Sequence, residues 1–156
     1  NVLQARSVNT AVTYAGTARM RLETMDETCW QIIAGADRPV ATQAILACTL
    51  SYSRLLAEFM RTALADEYRR MNATLEDRVW RLFFDDMTLQ HPNLARATES
   101  TQIKLRQNAY RILVEADYLS HGTSRQLQHV RVFAEVKSYL ANRRHQDILA
   151  AMECAQ

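Results

Sequence analysis

Turn-forming residues are scarce in this chain, whose 156 residues include three glycines and two prolines. All-β and α/β proteins need frequent tight turns, so this composition argues against both classes. No apolar run approaches the roughly 18 residues that a membrane-spanning helix requires. Because 48% of the residues are hydrophobic, the chain can still bury a substantial core. We therefore expect an all-α fold, a compact multi-helix bundle that forms a single helical domain over residues 1–156, with no membrane segment.

Motifs for catalysis or metal binding are also lacking. Cys29, Cys48 and Cys154 are widely spaced, which indicates three reduced thiols in a cytoplasmic protein rather than a metal site. No histidine stands one helical turn from a second ligand in a metalloenzyme pattern. The glycines are isolated, so no phosphate-binding loop is present, and no serine lies in a nucleophile elbow. The sequence predicts neither an enzyme nor a bound cofactor or metal.

Positive charge is concentrated towards the carboxyl end. The formal net charge is only +2, yet residues 100–156 contain eight basic and five acidic side chains, a surplus of +3. Every basic residue except Lys104 and Lys137 is an arginine, which suits bidentate contacts to phosphates and bases. A GC-rich codon bias would produce the same excess of arginine. The low total charge argues against strong non-specific binding of nucleic acid.

Apolar periodicity divides the chain into helices. They are predicted over residues 10–24, 26–35 and 37–71 with a break near 51–53, then from 74, 91 and 100 onward, with a last helix around 148–152. Thr74 and Asp77 imitate a capping box. The first helix is predicted to bury Tyr14 and Ala18, and the helix from residue 74 is predicted to bury Leu82. Because the chain begins with Asn rather than Met, we expect an N-terminal portion of the natural protein to be missing.

The segment from Ser100 to Ala116 is the most informative, because its two helical faces differ. Leu105, Ala109, Ile112 and Leu113 form a stripe for burial. The opposite face is polar and carries Thr101, Lys104, Gln107, Asn108, Arg111 and Glu115. Ser100 is predicted to cap the first turn, which is a ready anion site. Such a face suits phosphate or base contacts, although a solvated helix has the same composition.

The surroundings of this helix leave two structures open. The helix before it, a short connection and the basic helix itself fit a helix-turn-helix-like segment. After it, residues 120–124 form the clearest loop, and a short β-hairpin near 118–132 is one interpretation. In the other interpretation, one face of a helix carries Val130, Phe133, Val136, Lys137 and Leu140.

Three arginines outside the polar face have competing interpretations. Arg106 lies on the apolar side of its helix, so we expect an ion pair with a carboxylate and stacking on Tyr110, with phosphate contact as the alternative. Arg69 and Arg70 are expected near the carboxyl end of the long helix. There they form either a solvated cap that meets the negative helix dipole or a second nucleic-acid patch.

The chain contains five motifs in order: Asn1-x-Leu3-Gln4, Arg19-x-Arg21-Leu22, Leu55-Leu56-x-Glu58-Phe59, Ser100-Thr101-x-x-Lys104-Leu105 and Arg111-Ile112-Leu113-x-Glu115-Ala116-x-Tyr118-Leu119. Together they resemble the BrxA family, a small helical component of BREX bacteriophage-exclusion systems. The resemblance implies a NusB-like bundle that acts beside a methyltransferase and ATPases in phage defence. It also implies binding of nucleic acid, DNA in preference to RNA, without catalysis. One departure is Asp117, where the family pattern leads us to expect glycine.

The predicted function is therefore a non-enzymatic nucleic-acid-binding component of a bacterial anti-phage defence system. Its expected partners are double-stranded DNA and other BREX-type proteins. The alternative is a docking module of the same complex that makes no contact with nucleic acid. Contacts are predicted first at Ser100, Thr101, Lys104, Gln107, Asn108 and Arg111, and in second place at Arg19, Arg21, Arg69 and Arg70. A basic stripe joining these residues favours nucleic acid, and an exposed apolar patch favours docking.

Overall fold

A computed structural model describes residues 8–156, which fold into helices without a β-sheet. The predicted all-α class is confirmed. The helices are α1 (Val8–Leu22), α2 (Glu27–Gly35), α3 (Arg38–Tyr52), α4 (Arg54–Phe59), α5 (Ala65–Arg69), α6 (Asp77–Gln90), α7 (Pro92–Ala95), α8 (Glu99–Glu115), α9 (Ala134–Asn142) and α10 (Gln146–Met152). A π-helical segment, Met60–Leu64, joins α4 to α5, and a 3-10 turn, Glu153–Ala155, follows α10. The motif Asn1-x-Leu3-Gln4 lies outside the described residues.

The first two helices have nearly the predicted bounds, but α1 meets the core differently from the prediction. Asp26 caps α2 as expected, because its carboxylate accepts a hydrogen bond from the Cys29 amide at 3.3 Å. Met25, between the two helices, is buried. Tyr14 and Ala18 were expected in the core and are exposed instead. That part of the prediction is wrong, because none of the other described elements covers those turns of α1.

The long stretch predicted for residues 37–71 breaks where the sequence indicates. Ser53 separates α3 from α4, and its hydroxyl accepts a hydrogen bond from an amide in the first turn of α4 at 3.4 Å. The last helix of this stretch, α5, ends at Arg69, two residues before the predicted end, and Met71 in the turn that follows has a left-handed φ of 56°. The Asn72 side chain then donates to the carboxylate of buried Glu67 at 2.7 Å. This bond satisfies an acid that would be costly to bury without a partner.

Helix α6 does not begin with the predicted capping box. Thr74 instead forms an isolated antiparallel bridge with Gln126, and the residue at the N-cap position is Glu76, whose side chain makes no capping bond. The buried side chains of α6 are Val79, Trp80, Phe83 and Phe84. Leu82 was expected in the core but is 58% exposed. It lies about 200° around the helix from Trp80, so it faces away when the aromatic side chains are buried.

Helix α8 is capped by Thr98 rather than by Ser100, which corrects the prediction. The Thr98 hydroxyl accepts a hydrogen bond from the Thr101 amide at 3.3 Å, and Ser100 lies within the first turn. Both residue types are good caps, and the earlier start also places Glu99 where the helix dipole favours negative charge. The predicted burial stripe is confirmed, since Leu105 is half-buried and Ala109, Ile112 and Leu113 are buried, as is Tyr110 beside them.

The chain after α8 turns sharply and pairs only briefly with itself. Asp117 adopts a φ of 63°, so the turn forms with aspartate where glycine was expected. Leu119 and Leu127 form a single antiparallel bridge. The pairing ends at Gln128, whose carbonyl accepts a hydrogen bond from the Tyr68 hydroxyl at 2.7 Å. Within residues 118–132 the chain therefore forms one isolated β-bridge and not a β-hairpin of two paired strands.

Helix α9 begins later than the helical interpretation of residues 130–140 requires. Val136 and Leu140 are buried on α9, whereas Val130 and Phe133 precede it. Gln43 holds this preceding segment against α3, because it donates to the Arg131 carbonyl and accepts from the Phe133 amide, both at 2.8 Å.

Aromatic side chains form the centre of the core. The ring of Phe59 lies 4.8 Å from that of Trp80, which in turn meets Tyr110 of α8 edge-on at 6.3 Å. Fully buried Tyr118 donates its hydroxyl to the Met152 carbonyl at 2.5 Å and so holds α10 in place. Because α8 is held by its aromatic and aliphatic side, its polar side faces outward.

Candidate nucleic-acid interface

The polar side of α8 is exposed along its length, as the amphipathic pattern predicts. We define the α8 polar face as Thr101, Lys104, Gln107, Asn108 and Arg111, all of which are exposed. Arg111 donates to the Asn108 side-chain oxygen at 2.8 Å, and its Nε lies 3.9 Å from a carboxylate oxygen of Glu115. Within residues 8–156, no carboxylate forms an ion pair with Lys104. Lys104 therefore offers the face a cation that is not neutralised locally.

The first turn of α8 has its hydroxyl groups connected to one another. The Thr98 hydroxyl lies 3.1 Å from the Ser100 hydroxyl and 2.9 Å from that of Thr101. The Thr98 hydroxyl also accepts a hydrogen bond from the Thr101 amide. The polar groups of this turn are therefore partly satisfied by hydrogen bonds within the protein. The connection between α6 and α8 spans residues 91–98 and includes α7. It is longer than the roughly three-to-four-residue turn of a helix-turn-helix.

Arg21, near the carboxyl end of α1, lies beside the α8 polar face. It lines a cavity of about 200 Å³ that Asn108 also lines, and we call this the α1–α8 cavity. Its other lining residues are Thr49, Tyr52, Ser53, Leu55, Leu56, Trp80, Leu105, Ala109 and Ile112. None of these described lining side chains is acidic. The fold therefore brings Arg21, one of the contacts predicted in second place, close to Asn108, one of the contacts predicted first.

The other second-place arginines lie elsewhere and are paired with neighbours on their own helices. Arg19 forms an ion pair with Glu23 at 2.6 Å, and this hydrogen bond raises the pKa of the guanidinium. Arg69 and Arg70 both pair with Asp66, at 2.6 and 3.6 Å. Arg70 lines a separate cavity against α6. Both arginines are therefore already paired within the protein, and the choice between a solvated cap and a second nucleic-acid patch stays a prediction.

Arg106 has the carboxylate partner that its position on the apolar side predicts. Its guanidinium lies 3.6 Å from Asp77, at the start of α6, and its side chain is 29% exposed. The expected stacking on Tyr110 is wrong, because Arg125 occupies that place, with its guanidinium carbon 4.8 Å from the ring centroid. Arg125 also pairs with Asp77. One carboxylate thus joins the start of α6 to α8 and to the loop that follows α8.

The pattern of the sequence does not indicate that Asp77, Arg125 or Trp80 are neighbours of the basic helix. Asp77 and Trp80 belong to α6, and Arg125 comes after the turn at Asp117. No local pattern links residues so far apart along the chain, so only the packing of α6 on α8 reveals them. The Trp80 ring nitrogen is buried and has no hydrogen-bond partner within the described residues.

The cysteines are buried and unbridged, as predicted. The sulfur atoms of Cys29 and Cys48 lie 3.7 Å apart, and the contact together with burial raises the pKa of the Cys48 thiol. Within the described part of the chain, no group of three His, Cys, Asp or Glu side chains is placed to hold a metal ion. In the same part, no helix has both the length and the hydropathy needed to span a bilayer.

Comparison with known proteins points to one family. A family model described as BrxA matches residues 1–144. The chain is similar to the BREX protein BrxA of Paramagnetospirillum magneticum, with 33% identity over 98% of this chain and 77% of that protein. It is also similar to the BREX protein BrxA of Escherichia coli, with 31% identity over 98% of this chain and 72% of that protein.

A solved structure has the same fold. It is the crystal structure of an uncharacterized protein from Magnetospirillum magneticum, to which this chain is 31% identical. The TM-score is 0.85, and the match covers 99% of this chain and 78% of the other. The helical arrangement described above is therefore shared with a solved structure of related sequence.

Proposed function

The chain belongs to the BrxA family of BREX components, and on this basis we propose that it is a non-enzymatic, cytoplasmic protein that binds double-stranded DNA. Its proposed partners besides DNA are other proteins of a BREX anti-phage system. The observation that carries the proposal is the position of Arg21 beside the α8 polar face. Two basic elements that are distant in sequence, α1 and α8, thereby contribute to one surface.

The charges on this surface support contact with a phosphate backbone. Lys104 and Arg111 lie two turns apart on one face of α8, and Arg21 lies across the α1–α8 cavity from Asn108. Lys and Arg supply the sequence-independent part of DNA affinity, whereas Gln and Asn can also bind base edges. Glu115 repels the backbone, so it limits the interface at the carboxyl end of α8.

The position of α8 in the fold suggests how it would meet the duplex. Its first turns follow the short helix α7, and their polar side is exposed. Helices α6 and α8 are thus in a helix-turn-helix-like order, with a longer connection between them. In this arrangement the amino-terminal turns, with Thr101 and Lys104, face the groove and Arg111 contacts a phosphate. Because the formal net charge is only +2, we expect weak non-specific affinity that other BREX proteins strengthen.

The proposal is tested by measuring duplex DNA binding over a salt series with wild type, Lys104→Ala, Arg111→Ala and the double variant. Each phosphate contact that is removed should weaken binding and flatten the log–log salt slope by about 1. Competition with single-stranded DNA and with duplex RNA then tests the preference for double-stranded DNA. Lys137→Ala is the matched control, because it removes the same charge from α9, where Lys137 pairs with Glu153 at 2.5 Å.

The proposal fails if the double variant stays folded and keeps wild-type affinity and salt slope. It also fails if Lys137→Ala lowers affinity as much as Lys104→Ala, because binding would then depend on total charge alone.

Docking to another protein is a second candidate, favoured by exposed apolar side chains on α1. Val12, Tyr14 and Met20 are 66%, 53% and 46% exposed, and the Tyr52 hydroxyl of α3 lies 3.9 Å from the sulfur of Met20. Apolar surface of this kind marks many protein interfaces. If docking is the function, Val12→Ser and Met20→Ser should weaken association with a purified BREX protein, with little dependence on salt. Lys104→Ala should leave that association unchanged.

A further inference from the structure

The α1–α8 cavity contains two polar groups that the described protein leaves unsatisfied. The Arg21 Nε and the Trp80 Nε1 are both buried without a hydrogen-bond partner, and both residues line this cavity. Trp80 as a whole is only 4% exposed. Buried donors are paired in the great majority of native structures, and an unpaired one destabilises the folded state. Trp80 also lines a smaller cavity beside the start of α8, but Arg21 does not line it. A ligand in the α1–α8 cavity that accepts hydrogen bonds would therefore be near both residues.

Two of the remaining polar side chains of the cavity are also able to donate, whereas the hydroxyl groups of Thr49 and Tyr52 already donate to the Ile45 carbonyl and to the Met20 sulfur. The Asn108 side-chain oxygen already accepts from Arg111, so its NH₂ group remains as a donor. The Ser53 oxygen accepts from the Leu56 amide, so its hydroxyl proton is available. No carboxylate is present among the described lining residues. The cavity therefore offers hydrogen-bond donors and one positive charge. A suitable ligand is an anion whose oxygens accept hydrogen bonds.

We propose that the α1–α8 cavity binds a phosphate group. Arg21 neutralises its charge, and the Trp80 indole N–H, with Ser53 and Asn108, donates hydrogen bonds to its oxygens. These four residues come from four different parts of the fold, which suits a tetrahedral group that accepts from several directions. The same cavity is lined by Leu55, Leu56 and Leu105, which reduce its contact with water. Because less water is present, the attraction between Arg21 and an anion is stronger.

The phosphate has two possible sources, a free phosphorylated molecule or the backbone of nucleic acid. Asn108 belongs both to the cavity and to the α8 polar face, so a DNA strand on that face would have a phosphate within reach of Arg21. The affinity of the cavity for phosphate itself does not depend on DNA binding, and the two are separable by experiment.

Tryptophan fluorescence provides the test, because the chain contains only Trp30 and Trp80. In a Trp30→Phe background, titration with inorganic phosphate at constant ionic strength should change the Trp80 emission and reach saturation. Arg21→Gln should weaken phosphate binding by about tenfold, the loss expected for one charged hydrogen bond. Arg61→Gln is the matched control, because it removes the same charge away from this cavity, where Arg61 pairs with Glu58 at 2.6 Å, and it should bind phosphate as the background does. Acetate at the same ionic strength should bind more weakly.

The inference is overturned if phosphate gives no saturable change, or if Arg21→Gln binds it as well as Arg61→Gln does. Tighter binding of acetate would also overturn the assignment to phosphate. Should Arg21→Gln fail to fold, Asn108→Asp provides a second test. It places a carboxylate at the cavity from an exposed position and should repel phosphate.

Competition with labelled duplex DNA then identifies the source. If phosphate displaces the duplex and Arg21→Gln weakens both ligands, the cavity binds a backbone phosphate. If phosphate binds without displacing the duplex, the ligand is a free phosphorylated molecule. The same conclusion holds if phosphate binds and the duplex does not bind at all. Duplex binding without any phosphate binding refutes this inference and leaves the proposed function standing.

Discussion

Arg106 and Arg111 lie on the same helix, and their surroundings assign them different roles. Arg106 is partly buried and contacts Asp77, whereas Arg111 is exposed and its polar partners among the described residues, Asn108 and Glu115, both belong to α8. Substituting a residue whose side chain joins two elements lowers stability, whereas substituting an exposed residue has little effect on stability. The helical wheel predicts this division, and the structure supplies the partner of Arg106.

We expect Arg106→Ala to lower the free energy of unfolding by up to about 1 kcal/mol, since its ion pair is partly exposed and Arg125 still pairs with Asp77. Arg111→Ala should stay within about 0.5 kcal/mol of wild type. Urea denaturation of both variants measures the difference. Equal midpoints would show that the two arginines have the same structural role.

Two buried tyrosines of similar setting should respond oppositely to loss of the hydroxyl group. The Tyr110 hydroxyl is buried without a partner in the described residues, whereas that of Tyr118 donates to the Met152 carbonyl. Tyr110→Phe should therefore stabilise the protein by about 1 kcal/mol, and Tyr118→Phe should destabilise it by a similar amount. Thermal melts provide the measurement, and destabilisation by Tyr110→Phe would indicate a hidden partner for its hydroxyl.

At the scale of elements, the start of α8 shows what a local pattern can and cannot predict. The amphipathic pattern predicts the helix and its buried stripe correctly, but it places the cap two residues late, at Ser100 instead of Thr98. Both residues have the right chemistry, so the choice between them depends on how the preceding chain approaches the helix. The same limit explains the wrong capping box at Thr74, whose backbone pairs with the distant Gln126.

The position of the cap can be checked directly. Thr98→Ala should cost about 1 kcal/mol, because it removes the oxygen that accepts the Thr101 amide. Ser100→Ala should change stability by less than about 0.5 kcal/mol, as at an ordinary exposed site. Both variants are compared with wild type by urea denaturation. A larger loss with Ser100→Ala would restore the predicted cap.

At the scale of the whole molecule, burial of tyrosines makes the fold sensitive to alkali. Burial raises the pKa of Tyr110 to about 12 and that of Tyr139 to about 12. The ordinary value is about 10, so the folded state binds these protons more tightly than the unfolded state. The stabilisation is therefore complete below about pH 10 and is lost as pH rises from about 10 towards 12.

We predict that the free energy of unfolding falls steeply above about pH 10, and that Tyr110→Phe makes this fall shallower. Urea denaturation at several pH values between about 8 and 11 measures the slope. Tyr14→Phe, at an exposed position, is the matched control. Parallel pH profiles for Tyr110→Phe and wild type would contradict the prediction.

The sequence by itself determined the class of fold, the break at Ser53, the buried stripe of α8 and the membership in the BrxA family. These features depend on residues that are close in sequence, or on motifs in a fixed order. A shortage of glycine and proline disfavours sheets, and the period of apolar residues defines which side of α8 is buried.

Only the tertiary structure decided which distant residues meet. It placed Arg21 beside Asn108, gave Arg106 its partner Asp77, and put Arg125 rather than Arg106 on Tyr110. It also left Val12, Tyr14 and Met20 of α1 exposed. A helical period states which face of a helix is apolar, but not which element covers that face. Contacts between helices depend on how all their surfaces pack together, and no spacing along the chain records that.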